Sequence, residues 1–293
     1  MHTDIPPAYL EKIKEVYPNL EMTKLEFNQD GLVNDVVIVN RALVCRFPKS
    51  DWAKTQLRHE ARVLDLVRPY IGVAIPQYEH LQDDFASYPF IPGKPVTRRL
   101  LLALSPAERQ RVVEQLGEFI RRLHTIPLAE TASVSPSDTN RSRGWWLGFY
   151  TEVREVLYPY LVRHQRDEID AHFSPVVEGR LELSYAPALI NGDLGPYHLL
   201  FDDRTRRLSG VIDFGTAGLG DPAVDLAVLL YSYGETLVKE IRQVYPDMNA
   251  YLDRAQFWAG TLELQWALGG VKNKDKLFLL AHIGGARDLA PIG

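Results

Sequence analysis

Across 293 residues there is one cysteine, Cys45, so neither an internal disulfide framework nor a cysteine-rich zinc site can form. That scarcity fits a reducing compartment and makes the cytoplasm the expected location. Long apolar runs are also missing. The longest, residues 223–233, is interrupted by Asp225 and falls short of the roughly 20 residues that cross a bilayer, so no membrane partner is expected. The opening residues, Met1-His2-Thr3-Asp4-Ile5-Pro6-Pro7, lack the basic-then-apolar order of a secretory leader. There is no basic excess. Lys and Arg number 33 against 38 Asp and Glu, a formal net charge of −5, which argues against sequence-independent nucleic-acid binding. Internal repeats and low-complexity tracts are absent too.

What is present is ordinary globular composition, 46% hydrophobic and 24% charged, in a chain long enough for two domains or lobes. Residues 8–17 place Tyr9, Leu10, Ile13 and Val16 on one helical face. Short β-forming segments follow at 21–27, 35–39 and 43–47, separated by Asn-Gln-Asp-Gly and Asn40-Arg41, as in an antiparallel meander. Helical spacing returns over 52–67 with Leu57, Ala61, Leu64 and Leu66, and two more strands are expected at 78–81 and 86–91. Pro89, Pro92, Gly93 and Pro95 then mark a linker. We place a lobe boundary there: an amino-terminal lobe over 1–92, a hinge near 88–95, and a carboxy-terminal lobe over 93–293. Ser105-Pro106-Ala107-Glu108 has the form of a capping box opening a helix to about His124. Residues 128–144 are polar and turn-rich. Further helices are expected at 146–172, 222–244, 249–269 and 273–287, with a strand-like block at 187–213.

The chemistry concentrates in that block. Asn191-Gly192-Asp193-Leu194-Gly195-Pro196-Tyr197-His198 leads into an apolar strand, and a second strand ends in Ile212-Asp213-Phe214-Gly215. A hairpin between them returns Asp213 and His198 to the neighbourhood of Asp193. Singly, each residue has an ordinary explanation: aspartate beside glycine forms turns, and a lone histidine is commonly structural. Together they suit phosphoryl transfer, with one carboxylate orienting a hydroxyl and another, plus a neutral ligand, holding Mg²⁺ against nucleotide phosphates.

This series resembles the aminoglycoside phosphotransferase family, relatives of the protein kinases. The family carries His-Gly-Asp, an Asn or His five residues on, Ile-Asp-Phe/Trp-Gly, then Gly-Asp-Pro and Asp-Leu. Here stand Asn191-Gly192-Asp193, His198, Ile212-Asp213-Phe214-Gly215 and Gly220-Asp221-Pro222-Ala223-Val224-Asp225-Leu226. The resemblance implies an α+β, two-lobed, protein-kinase-like fold, with a small antiparallel-sheet lobe and a larger, mainly helical one. It implies Asp193 as catalytic base and His198 and Asp213 as magnesium ligands. A histidine at 198 is similar to the 2''-phosphotransferases and macrolide phosphotransferases. An imidazole must be neutral to bind a metal, so weaker metal occupancy is expected in acid. Asn191 departs from the family's histidine, which props the loop, so the departure bears on loop geometry more than on chemistry.

The resemblance also assigns the nucleotide side, with ATP or GTP as donor. Arg46 falls where the family places its phosphate-pairing cation and Glu60 where that cation's ion-pair partner stands; Lys49 competes for the role of Arg46. Gly31-Leu32-Val33-Asn34-Asp35 has too few glycines to cradle phosphates. Tyr88, Phe90 and Ile91 belong to the hinge that would read the purine, and bulky Tyr88 would favour guanine. Asp221 and Asp225 suit a helix N-terminus and a brace for the catalytic loop. The acceptor that the resemblance implies is a small molecule, with an aminoglycoside the first candidate. Candidate contacts are Glu235, Glu263 and Trp266, with Asp167, Glu168 and Asp170 further options. Trp258 and Trp266 are either core or an acceptor wall, while Trp145 and Trp146, beside the polar stretch, are the tryptophans expected to touch a ligand. A macrolide kinase or a metabolic kinase of choline-like or sugar hydroxyls keeps the same motifs, and a non-catalytic binding protein keeps the fold.

Overall fold

The structure, a computed structural model, describes residues 5–29, 31, 33–137 and 139–275. The chain divides into two compact units, one built from the segments up to Asp138 and Ala188–Leu219, the other from Thr139–Pro187 and Gly220 onward.

The first unit begins with α1 (Pro7–Val16) and a meander of β1 (Leu25–Asn28), β2 (Asn34–Val39) and β3 (Leu43–Pro48). After α2 (Asp51–Val67) come β4 (His80–Leu81) and β5 (Ala86–Pro89), which complete an antiparallel five-stranded sheet in the order β1-β2-β3-β5-β4. β3 is paired on both sides, which is why its sequence is nearly continuously apolar. Side chains alternate across a strand. Cys45 and Phe47 therefore face α1, in a core with Ile13, Val37, Val39, Leu43 and Phe85, and Tyr9 stacks on Phe47 at 3.9 Å. Arg46, between them, points the other way, towards α2.

The remaining first-unit elements are β6 (Lys94–Pro95), α3 (Arg98–Ala103), α4 (Pro106–His124), β7 (Ala188–Ile190), β8 (Leu199–Asp202) and β9 (Arg207–Val211), with β10 (Gly218–Gly220) pairing β7. The expected capping box opens α4, with Ser105 and Glu108 each satisfying the other's backbone. β8 and β9 form the expected hairpin, and β6 adds a third strand to it. Gly93 beside β6 has no room for a side chain: a Cβ there would stand 2.5 Å from Ser209 Oγ and 2.8 Å from Leu200 Cβ. Neither β6 nor α3 is legible in the proline-rich linker.

The second unit is helical. The helix expected over 146–172 is two, α5 (Arg143–Val156) and α6 (Arg163–Val177), because Pro159 forces a 3₁₀ turn between them. The helix expected over 222–244 is likewise two, α7 (Ala223–Tyr233) and α8 (Glu235–Val244), broken where Gly234 takes φ +82°. α9 runs Leu252–Lys272. Most of the helix expected at 273–287 lies outside the described residues. Trp146, Phe149, Phe173, Phe257 and Trp258 pack ring against ring in this unit's core. Asp221 grips Arg254 through two bonds of 2.7 and 3.0 Å and accepts from the N–H of Ala223, the first residue of α7, so it ties the start of α7 to α9.

Candidate active site

Antiparallel pairing of β8 with β9 brings the residues before one strand to those after the other. Fully buried Leu194 and Leu199 anchor the loop around half-exposed Asp193 and His198. His198 N–H reaches Gly195 O at 3.1 Å, and Ile212 N–H reaches His198 O at 2.9 Å. The imidazole is thereby set between two carboxylates. Its Nδ1 is 2.8 Å from the Asp193 carbonyl and 3.4 Å from Asp193 Oδ2, and its Nε2 is 3.5 Å from Asp213 Oδ2. A carbonyl only accepts, so Nδ1 carries the hydrogen. In its neutral form the ring turns the Nε2 lone pair towards a carboxylate oxygen, and two acceptors facing each other at this separation suit a cation between them.

Asp213 adopts φ +63°, a left-handed conformation costing about 1–2 kcal/mol in an L-residue. Its surroundings hold it there. Asn191 Nδ2 donates to the Asp213 carbonyl at 3.0 Å, and Gly215 N–H donates to Asp213 Oδ1 at 3.2 Å. The same Asn191 accepts from Asp193 N–H through Oδ1 at 3.0 Å, while its carbonyl accepts from the Thr216 hydroxyl at 2.9 Å. One wholly buried carboxamide thus joins the loops that carry both aspartates. Asn191 still props the loop, because an amide has a donor and an acceptor to spend at once. Gly192 beside it takes φ +82°, with the Thr216 carbonyl 3.2 Å from where a Cβ would lie.

The expected pair forms between β3 and α2. Arg46 Nη1 meets Glu60 Oε2 at 2.7 Å and the Tyr78 hydroxyl at 2.7 Å. Burial opposes the guanidinium's charge, but Glu60, with smaller contributions from Tyr78, Tyr88 and Asp213, holds Arg46 well above its usual range. Burial raises Tyr78 far above the ordinary phenol value and pushes Tyr88 up to about 12. Glu60 Oε1 in turn accepts from Phe214 N–H at 3.2 Å, so the ion pair is wired to the residue after Asp213. Lys49, the competitor for Arg46's role, is engaged elsewhere: its ammonium binds the carbonyls of Gln29 and Gly31 and the carboxylate of Asp35. Tyr88 is buried on β5, edge-on to Tyr78; Phe90 and Ile91 follow β5 half-buried, Phe90 N–H bonded to Ala42 O. Tyr78 carries no signal in the sequence that would have singled it out.

Glu235, Glu263 and Trp266 lie in the second unit. Glu235 pairs with Lys239 at 2.6 Å, Glu263 accepts from the Tyr231 hydroxyl, and Trp266 is exposed. Asp170 is occupied by the hydroxyls of Tyr150 and Tyr158. Trp146, expected at a ligand, is instead wholly buried and belongs to the core, as does Trp258. Trp145 is partly exposed, under Arg141. Asp221, on Arg254 and α7, braces the helical unit. Among the described residues no three His, Cys, Asp or Glu side chains converge as a complete metal cage. The His198–Asp213 pair instead offers two donors, a set that suits a cation sharing its remaining positions with water and phosphate oxygens.

A family model described as the phosphotransferase enzyme family matches residues 24–258. Viomycin phosphotransferase of Streptomyces vinaceus is 27% identical over 273 residues, spanning 88% of this chain and 91% of that protein. Aminoglycoside 3'-phosphotransferase of Escherichia coli is 30% identical over 172 residues, 54% of this chain and 59% of that one. A solved complex of an aminoglycoside 2''-phosphotransferase with GDP and kanamycin has a TM-score of 0.84 at 25% identity, covering 96% of this chain and 97% of that chain. Macrolide 2'-phosphotransferase type I shares the fold at a TM-score of 0.70 and 20% identity, covering 99% of each chain.

Proposed function

The chain belongs to the phosphotransferase enzyme family, and from that premise we propose that it moves the γ-phosphoryl group of ATP or GTP onto a hydroxyl of an antibiotic, an aminoglycoside first among the candidates. The observation that carries this is the facing of His198 Nε2 and Asp213 Oδ2 at 3.5 Å beside Asp193. These two side chains would hold Mg²⁺, which when bound neutralises charge on the phosphates. Asp193 is the proposed base. Its carboxylate orients the acceptor hydroxyl and takes its proton as the new P–O bond forms and the bond from the γ-phosphorus to the β–γ bridging oxygen breaks. The nucleoside diphosphate leaves with that oxygen, while Asn191 fixes the backbone of Asp193. Arg46, kept cationic and aimed by Glu60 and Tyr78, is the proposed contact for the α- and β-phosphates.

Residues 88–95 are the proposed hinge between a nucleotide lobe over 1–92 and a catalytic lobe over 93–293. Tyr88, buried on β5 where the proposed hinge begins, would favour GTP by narrowing the position an adenine would take. Glu235, Glu263 and Trp266 are proposed acceptor contacts, where an acceptor amine would compete with Lys239 for Glu235. The single buried thiol suits a cytoplasmic protein. The test is transfer of labelled γ-phosphate from ATP and from GTP to aminoglycosides, viomycin, macrolides and amino alcohols. Transfer to an antibiotic, faster with GTP, is expected. Transfer to amino alcohols alone would make the enzyme a metabolic kinase, and transfer to none would defeat the reading.

A further inference from the structure

α2 presents two consecutive polar side chains to the segment after Asp213. Glu60 Oε1 accepts from Phe214 N–H at 3.2 Å, and His59 Nε2 lies 2.7 Å from the Ala217 carbonyl. The carbonyl can only accept, so Nε2 donates. Neighbouring residues on a helix point about 100° apart, so both reach one short segment only if that segment folds back across the helix. It does: Ala217 N–H returns to Phe214 O at 3.1 Å, a tight turn with Glu60 at its first residue and His59 at its last.

The far side of the turn is held by Asn191 and by Ser137, whose hydroxyl donates to Thr216 O at 3.2 Å. On the α2 side only His59 and Glu60 bond to it among the described contacts. Glu60 has a second duty to Arg46; His59 has none that the proposed mechanism uses.

Resting on the phosphoryl-transfer reading above, we propose that His59 is a positioning residue of that reaction. By pinning Ala217 to α2 it fixes the left-handed Asp213 opposite His198, and it makes Arg46, Glu60 and Asp213 one mechanical body. The cation that aims the phosphates and the carboxylate offered to the metal then move together or not at all.

The test compares His59→Ala with His59→Gln, whose amide N–H can still reach the carbonyl. Two readouts are taken: amide hydrogen exchange over 213–219 in the nucleotide-free protein, and the Mg²⁺ concentration that half-saturates binding of a fluorescent nucleotide analogue. Loss of one such bond should speed exchange in the segment roughly five- to tenfold in His59→Ala and raise the Mg²⁺ midpoint by a similar factor. His59→Gln should restore both towards wild type. Unchanged exchange and midpoint in His59→Ala would overturn the proposal, as would a His59→Gln variant no better than the alanine. A wild-type protein with no Mg²⁺-dependent nucleotide binding would instead defeat the functional reading beneath it. A normal wild type with an indifferent His59→Ala defeats the positioning role alone.

Discussion

Glu60→Gln isolates the charge of the buried pair while leaving the shape of the site intact. The side chains of Arg46 and Glu60 are 10% and 1% exposed, so solvent screens the pair little. Glutamine keeps one oxygen for Phe214 N–H but turns an NH2 donor on Arg46, and it leaves the guanidinium buried without its counter-charge. Breaking such a pair from one side costs about 3–5 kcal/mol, because the orphaned ion keeps its desolvation penalty. Removing both charges should cost less. In Arg46→Met/Glu60→Gln no ion remains in the apolar setting beneath β3, and methionine fills much of the volume of the arginine stem. The double variant is therefore expected to be more stable than Glu60→Gln by about 1 kcal/mol or more, while losing nucleotide affinity through Arg46. Urea unfolding followed by far-ultraviolet circular dichroism on the four proteins of the cycle measures this. Additive losses, with the double variant the least stable, would refute a coupled buried pair and leave Glu60 as a plain hydrogen-bond acceptor.

Other expectations can be checked with single variants. Asn191→Ala removes the partners of Asp193 N–H and the Asp213 carbonyl together; at about 1–3 kcal/mol for each buried group left unpaired, it should lose 2 kcal/mol or more of stability, measured as a shift in urea midpoint, and kcat should fall with it. Glu108 is held at about 2, first by Arg206, then by the backbone and hydroxyl of Ser105. The folded state thus binds this proton less readily than the unfolded chain does, so the cap's stabilisation is full above about pH 4.5 and is lost as pH falls towards 2. Glu108→Gln should accordingly lower the melting temperature at pH 7 and leave it nearly unchanged at pH 2; an equal effect at both would contradict the assignment. Burial pushes the Cys45 thiol up to about 12, so a thiol reagent at pH 8 should label native protein negligibly and unfolded protein once per chain. Rapid labelling of the folded form would show that the α1–sheet core opens.

The fold was legible where local pattern and tertiary demand agree. The meander, the hairpin and the Ser105 capping box are each specified by turn or cap chemistry within a few residues. Glu60 was legible only through the family resemblance; that it shares the buried stripe of α2 with Ala53, Leu57, Ala61 and Leu64 is what the structure adds. The closeness of Asp193, His198 and Asp213 follows from antiparallel pairing, since residues flanking a hairpin's open end must meet. The misses came from chain breaks and contacts distant in sequence. Pro159 and Gly234 each split a helix whose periodicity runs on through the break, and β6 is visible only through its partner β8. Tyr78 meets Arg46 from 32 residues away, and His59 meets Ala217 from 158 residues away, separations that no local pattern encodes.

At the centre of the proposed mechanism Asp193 acts on a hydroxyl beside a metal-holding His198 and Asp213. Asp193→Asn, an almost isosteric change, tests that in single-turnover transfer of labelled phosphate to the best acceptor, with nucleotide affinity measured on the same sample. The predicted result is a rate lower by roughly 10²–10⁴-fold with nucleotide binding nearly unchanged. Transfer at the wild-type rate by the asparagine variant would contradict it.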